Sequence, residues 1–192
     1  YLPTQFDADN ELAMLYKKQN RLDEALQSIQ TAYKRGGDKN TTIVLSHAGI
    51  MRAFGQSEKA LNILQRYNPP QGEEKNYLFN LGDVHVELKQ YEEAKAVFTR
   101  LVSLHPQEVA YKIALANSVA KVPKPEEAIG ILQDAIRTHP ETFSADIALA
   151  KLYSAEQRPT NAVSIMEAAY NRGGSDSIDV LKEYLRALAE GG

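Results

Sequence analysis

The chain has 192 residues, 43% of them apolar, with 22 basic and 25 acidic side chains, a net charge of −3 and no cysteine. That length supports one or two domains with a buried core, and the lack of cysteine excludes disulfide frameworks, thiolate metal sites and cysteine nucleophiles. The slightly acidic balance argues against a generic nucleic-acid binder, which needs clustered cations, and no apolar run reaches the length of a membrane span, about 18 residues.

Segment 1–7 has neither the basic n-region nor the apolar h-region of a secretory signal. Leu2-Pro3 has the phase of a helix-pair tail, so a fragment of a longer protein is expected. The first predicted pair, at about 6–38, starts its second helix at Leu22-Asp23-Glu24-Ala25-Leu26 and stops at Gly36-Gly37, where glycine admits a left-handed residue. The second pair, 41–73, carries Ser57-Glu58-Lys59-Ala60-Leu61, and Pro69-Pro70 cut its second helix short. The irregular loop 68–76 that results is a secondary candidate for function, although a tolerated irregularity between repeats is the favoured reading. The third pair, 75–107, carries Tyr91-Glu92-Glu93-Ala94-Lys95 and ends at His105-Pro106. The fourth, 109–141, opens its second helix on Pro125, where a missing N–H costs nothing, and ends at His139-Pro140. The fifth, 143–175, opens its second helix on Pro159 and stops at Gly173-Gly174. Both glycine pairs follow Tyr-x-Arg, at Tyr33 and Arg35 and at Tyr170 and Arg172. A last amphipathic helix, 176–190, shows Val180, Leu181, Tyr184, Leu185 and Leu188. It is either a solvating cap or the first helix of a sixth unit.

The pairs share one register. Alanines recur at 25, 60, 94, 128 and 162, a spacing of 35 and then 34 residues. Each unit shows two apolar stripes at helical spacing. Small residues let two helices approach closely while larger ones fill the space opposite. One pair cannot bury both stripes, so the pairs must stack.

The third unit reads Leu78, Leu81-Gly82, His85, Tyr91, Ala94, Phe98, Leu101 and Pro106. With the 34-residue period, this pattern resembles the tetratricopeptide repeat (TPR) family, and the resemblance covers nearly the whole chain. No repeat carries the family's tryptophan. The glycine slot holds Ala13, Ala48, Gly82, Ala116 and Ala150, and the second large slot Tyr16, Met51, His85, Val119 and Tyr153. The resemblance implies an all-α fold: one right-handed superhelical solenoid of antiparallel helix pairs over 1–192.

Chemistry has little to stand on. There is no phosphate-binding glycine loop, no His-Glu-x-x-His and no Gly-x-Ser-x-Gly elbow. His47 and His85 fall on core-facing slots, and His105 and His139 precede loop prolines. The acidic pairs Asp23-Glu24, Glu92-Glu93 and Glu126-Glu127 open second helices, where the helix dipole favours them. No enzyme, cofactor or metal site is expected.

The resemblance also implies that first helices line a concave surface holding a peptide or protein segment. One slot per repeat gives Asn10, Leu45, Phe79, Ile113 and Ile147; four residues on come Met14, Gly49, Asp83, Asn117 and Lys151; the next slots hold Lys17, Arg52, Val86, Ala120 and Ser154. Leu45, Phe79, Ile113 and Ile147 form an apolar ladder suited to an amphipathic or extended segment, with Asp83, Asn117 and Lys151 to orient it. Packing between adjacent first helices accounts for the ladder equally well. The family's carboxylate-clamp slots hold Asn10 and Met14, Leu45 and Ser46, and Asn76 and Asn80; the lysines are missing, which disfavours binding of acidic C termini. Lys17-Lys18 with Arg52 form a small candidate basic patch. The expected function is a non-catalytic scaffold for a protein or peptide partner, by analogy in bacterial envelope assembly or secretion, with compartment (cytoplasm or periplasm) left open. Two alternatives stand: self-association, with the 175–190 helix docking near residues 2–6, and a recruiting arm of an enzyme on the same longer chain.

Overall fold

A computed structural model describes residues 5–122 and 125–191. Leu2-Pro3, assigned above to a preceding tail, and most of the 2–6 docking face lie outside the described residues. Among those described, the chain is all helical. The pairs are α1 (Gln5–Lys18) with α2 (Leu22–Lys34), α3 (Thr41–Ala53) with α4 (Ser57–Gln65), α5 (Glu74–Glu87) with α6 (Tyr91–Leu104), α7 (Val109–Val119) with α8 (Pro125–Thr138), and α9 (Ser144–Ala155) with α10 (Pro159–Asn171). The last helix, α11 (Ile178–Gly191), follows alone. Two compact units divide within α6, between Val97 and Phe98. In unit 1, α1 packs on α2, α2 on α3, α3 on α4 and α4 on α5; in unit 2, α7 packs on α8, α8 on α9, α9 on α10 and α10 on α11.

The turn inside a pair repeats one design in the first, second, third and fifth pairs. The chain passes through a left-handed residue at Asn20, Gly55, Lys89 and Gln157. At the next residue, an N–H reaches back to the carbonyl of the second large slot: Arg21 to Tyr16, Gln56 to Met51, Gln90 to His85 and Arg158 to Tyr153, at 2.8–2.9 Å. This long backward bond is the Schellman stop, which satisfies a carbonyl the helix leaves orphaned. Arg21 and Arg158 also lay their guanidinium groups over the rings of Tyr16 and Tyr153, at 4.5 and 4.8 Å.

The link from one pair to the next takes a second form at the two glycine pairs. Gly36 and Gly173 have φ of +106° and +119°, with open space around them. Gly37 and Gly174 are buried for another reason: a Cβ on Gly37 would sit 2.7 Å from the Ala32 carbonyl and 2.8 Å from Ile43, and one on Gly174 2.8 Å from the Ala169 carbonyl and 3.0 Å from Val180. A single 3₁₀ turn follows each, Gly37–Lys39 and Gly174–Asp176. A side-chain cap then starts the next helix, Asn40 accepting from the Ile43 N–H at 3.2 Å and Ser177 from the Val180 N–H at 3.4 Å. The arginines tie each joint to the first helix of its own pair, Arg35 to Asp9 at 2.6 Å and Arg172 to Asp146 at 2.7 Å.

The repeated alanines Ala25, Ala60, Ala94, Ala128 and Ala162 are all fully buried. In unit 1, Ala13, Ala25, Ile29, Ala32, Ile43 and Ile50 form one layer of the core, and Val44, Ala48, Met51, Ala60, Leu64 and Val84 the next. In unit 2, Val109, Ala135 and Ala145 join α7, α8 and α9. The 68–76 loop is fastened at its edges. The Thr41 hydroxyl is shared with Tyr67, at 2.6 Å, and with Glu73, and the Tyr77 hydroxyl donates to the Leu64 carbonyl at 3.2 Å.

Candidate functional site

First helices supply the walls of a concavity in each unit. In unit 1 it measures 650 Å³ and draws on Met14 and Lys17 of α1, Leu45, Ser46, Gly49 and Arg52 of α3, and Asn76, Asn80 and Glu87 of α5. Helical spacing sets this selection, since residues three and four apart share a face. Arg52 does not stand as a free cation. Its Nε and Nη2 donate to Glu87 at 2.9 and 2.6 Å, Nη2 reaches Asp83 at 3.5 Å, and Ser57 donates to the other Glu87 oxygen at 2.7 Å. Burial alone pushes the Glu87 carboxyl up, but the Arg52 and Ser57 hydrogen bonds outweigh it and hold the group below its usual range. At Asp83 burial wins over the longer Arg52 contact, and the carboxyl is raised. The unspent charge of this groove is Lys17, whose ammonium lies against Gly49: a Cβ there would meet Nζ at 3.3 Å.

In unit 2 the concavity measures 540 Å³. Ile113 and Asn117 of α7, with Ala120 and Lys121 just past its C-terminal end, face Ser144, Ile147, Lys151 and Leu152 of α9. No carboxylate lines it. Lys121 makes no ion pair among the described residues, and Lys151 approaches Glu183 of α11 only to 3.9 Å.

The structure therefore brings four of the seven residues singled out by phase into one concavity: Ile113, Asn117, Ile147 and Lys151. Leu45 lines the unit 1 groove. Phe79 is half-buried on α5 and is not among the residues lining that groove; Asp83 is engaged by Arg52 instead. Leu45 and Ile113 also pack against the core layers, so each has a buried edge and a groove-facing edge. Asn10 is buried rather than presented, with its Oδ1 unpartnered. The basic patch expected from Lys17, Lys18 and Arg52 dissolves, because Arg52 is neutralised and Lys18 does not line the groove. Lys121 and Ser144 were not singled out; both flank helix ends, where the phase rule stops. His47 and His85 are buried, as their core-facing slots require. Among the described residues no group of His, Asp and Glu could hold a metal ion, and no helix is long and apolar enough to cross a membrane.

The model of the family described as protein kinase G tetratricopeptide repeat matches residues 8–172. The chain belongs to this family. No curated protein matches this member of it. Its fold recurs in solved structures. A thermophilic TPR protein from Thermus thermophilus is 18% identical with a TM-score of 0.67, covering 96% of this chain and 99% of that one. A TPR protein from Parabacteroides merdae is 20% identical with a TM-score of 0.75, covering 100% and 80%. YrrB, described as a TPR protein with an unusual peptide-binding site, is 18% identical with a TM-score of 0.61, covering 91% and 89%. At these identities the likeness is one of fold: an all-α TPR array, the architecture of protein-interaction scaffolds.

Proposed function

We propose that the concave face binds an apolar peptide or protein segment carrying acidic side chains, and that the array is a non-catalytic scaffold. The observation that carries this reading is the unit 2 concavity, where Ile113, Ile147 and Leu152 lie beside Lys121 and Lys151 with no lining carboxylate. An apolar face on the segment would cover the isoleucines, and an acidic residue would meet the lysines. The unit 1 groove supports the same sign of charge, since Lys17 is its one cation without a carboxylate partner among the described residues. YrrB, described as having a peptide-binding site, supports the reading by likeness of fold. The setting we attach to it, bacterial envelope assembly or secretion, rests on the family resemblance.

The test places a photo-crosslinking residue at Ile147 in the protein expressed in its host, with a control probe at Glu93, which is exposed on α6. Adducts from 147 that are absent from 93, and that fade as salt screens Lys121 and Lys151, are expected. Equal adducts from both positions, or none from 147, refute groove binding and leave the ladder as packing between helices. A second reading is favoured by the family's description, which names a protein kinase: the array is a recruiting arm for an enzyme carried on the same longer chain. The full reading frame decides it, and a frame without a catalytic domain ends it.

A further inference from the structure

Unit 1 has a second cavity on the other side of α3. At about 100° per residue, His47 and Met51 lie on the face of that helix opposite Leu45, Gly49 and Arg52. The cavity they floor measures 430 Å³ and shares no lining residue with the groove. Its walls come from the two neighbouring second helices, with Leu26 and Tyr33 of α2 facing Ile63 of α4. That volume falls within the range of small-molecule sites, about 300–1,000 Å³, and is too small for a helix.

Two observations specify an occupant, and a third supplies a reporter of its binding. The walls are apolar at Leu26, Tyr33, Met51 and Ile63. The only charged residues lining the cavity are Lys59 and Arg66, and neither makes an ion pair among the described residues. The floor holds a polar group without a partner: His47 is 8% exposed, its ring stacks edge-on to Tyr33 at 5.0 Å, and its Nδ1 has no hydrogen bond. His47 lines the cavity with the rest of its ring while its Nδ1 is closed off from it, so the imidazole reports on occupation without contacting the charged head. Lys59 and Arg66 are two helical turns apart on one face of α4 and its C-cap, and their long side chains can converge on one anionic head.

We propose that this cavity binds a small organic carboxylate with an apolar body, the body against Leu26, Met51 and Ile63 and the head between Lys59 and Arg66. The site is separate from the concave face and stands or falls independently of the groove reading. Occupation would brace α2 against α4 across α3, and so stiffen unit 1.

Octanoate is the probe, with 1-octanol and octyltrimethylammonium as neutral and cationic controls. Binding is followed by calorimetry and by the imidazole resonances of His47. Saturable binding of octanoate below its micelle threshold is expected, with His47 signals moving and those of His139 still. Exposed charge contacts are individually weak, so the Lys59→Gln/Arg66→Gln variant should lower affinity about threefold to tenfold. Ile63→Trp, which fills the cavity from a half-buried position, should abolish binding, with retained helicity by circular dichroism showing that the fold persists. No saturable movement of His47, equal binding by octyltrimethylammonium, or unchanged affinity in both variants overturns the proposal.

Discussion

The adjacent glycines at the α10–α11 joint should fail differently when substituted. In Gly174→Ala the new Cβ meets the Ala169 carbonyl at 2.8 Å and the Val180 methyls at 3.0 and 3.2 Å. An ordinary carbon–oxygen contact lies near 3.3–3.6 Å, so the shortfall is about 0.5 Å. Ala169 is in the last turn of α10 and its carbonyl cannot withdraw without the helix, so α11 must give way. Overpacking by one methyl costs about 1–3 kcal/mol. At Gly173 nothing lies within 4 Å, and the cost of L-alanine is the φ of +119°, about 1–2 kcal/mol. A smaller unfolded-state gain of about 0.4–1 kcal/mol offsets part of that. D-alanine separates the two causes: at Gly173 it fits the backbone and should match or exceed glycine, whereas at Gly174, in a right-handed 3₁₀ turn, a D residue is itself strained and should not rescue. Because contacts in a repeat array are between neighbours, the loss is local. The assay is hydrogen exchange of α11 amides in semisynthetic protein. A loss of about 2 kcal/mol at Gly174→Ala speeds exchange roughly 30-fold. Unchanged α11 protection in Gly174→Ala, or D-alanine no better than L-alanine in place of Gly173, would refute the division of labour.

Three further outcomes follow from burial and charge. Arg172→Gln strands the Asp146 carboxylate, which is 2% exposed, and should cost about 3–5 kcal/mol, while Arg35→Gln at the more exposed Asp9 should cost less than about 1 kcal/mol; paired urea melts check it. Burial depresses the His47 pKa, so the unfolded chain takes up this proton first as pH falls. Stability should therefore decline as pH drops below the unfolded value of about 6.5, and His47→Gln should flatten that limb; equal slopes in melts at pH 5 to 7 would contradict this. Ala94→Leu places three extra carbons at a fully buried position and should cost about 1–3 kcal/mol, with an unchanged melt counting against the repeat register.

The period was legible because each repeat needs the same small residue where its helices cross, and alanine marks that point five times. The glycine stops were legible for Gly36 and Gly173, whose role is local. The role of Gly37 and Gly174 was not, because it depends on Ile43 and Val180, six residues further along the chain. The left-handed turn residues Lys89 and Gln157 left no trace, since neither is a turn former; the backward hydrogen bonds that hold them are backbone groups common to every sequence. Phase alone gathered Ile113, Asn117, Ile147 and Lys151, because a helix face repeats with the array. It misjudged Asp83 and Arg52, because a choice of ion partner turns on a difference of less than 1 Å between Glu87 at 2.6 Å and Asp83 at 3.5 Å. It also misplaced Asn10, a polar residue buried at a slot that elsewhere holds leucine, phenylalanine or isoleucine.

The two glycine joints share Tyr, Arg and both glycines, at Tyr33, Arg35, Gly36 and Gly37 and at Tyr170, Arg172, Gly173 and Gly174, and the caps Asn40 and Ser177 keep the same separation of 137 residues. A gene carrying two copies of one joint can recombine between them. Crossover at the glycine codons deletes 137 codons in frame and leaves α2 running into α11 through a joint that is already tested; the reciprocal product gains the same number. The intervening Pro-terminated links share no such cassette with the ends. An exchange at these two points would change the chain by 137 residues at once, about four 34-residue repeats, with its stop, turn and cap intact.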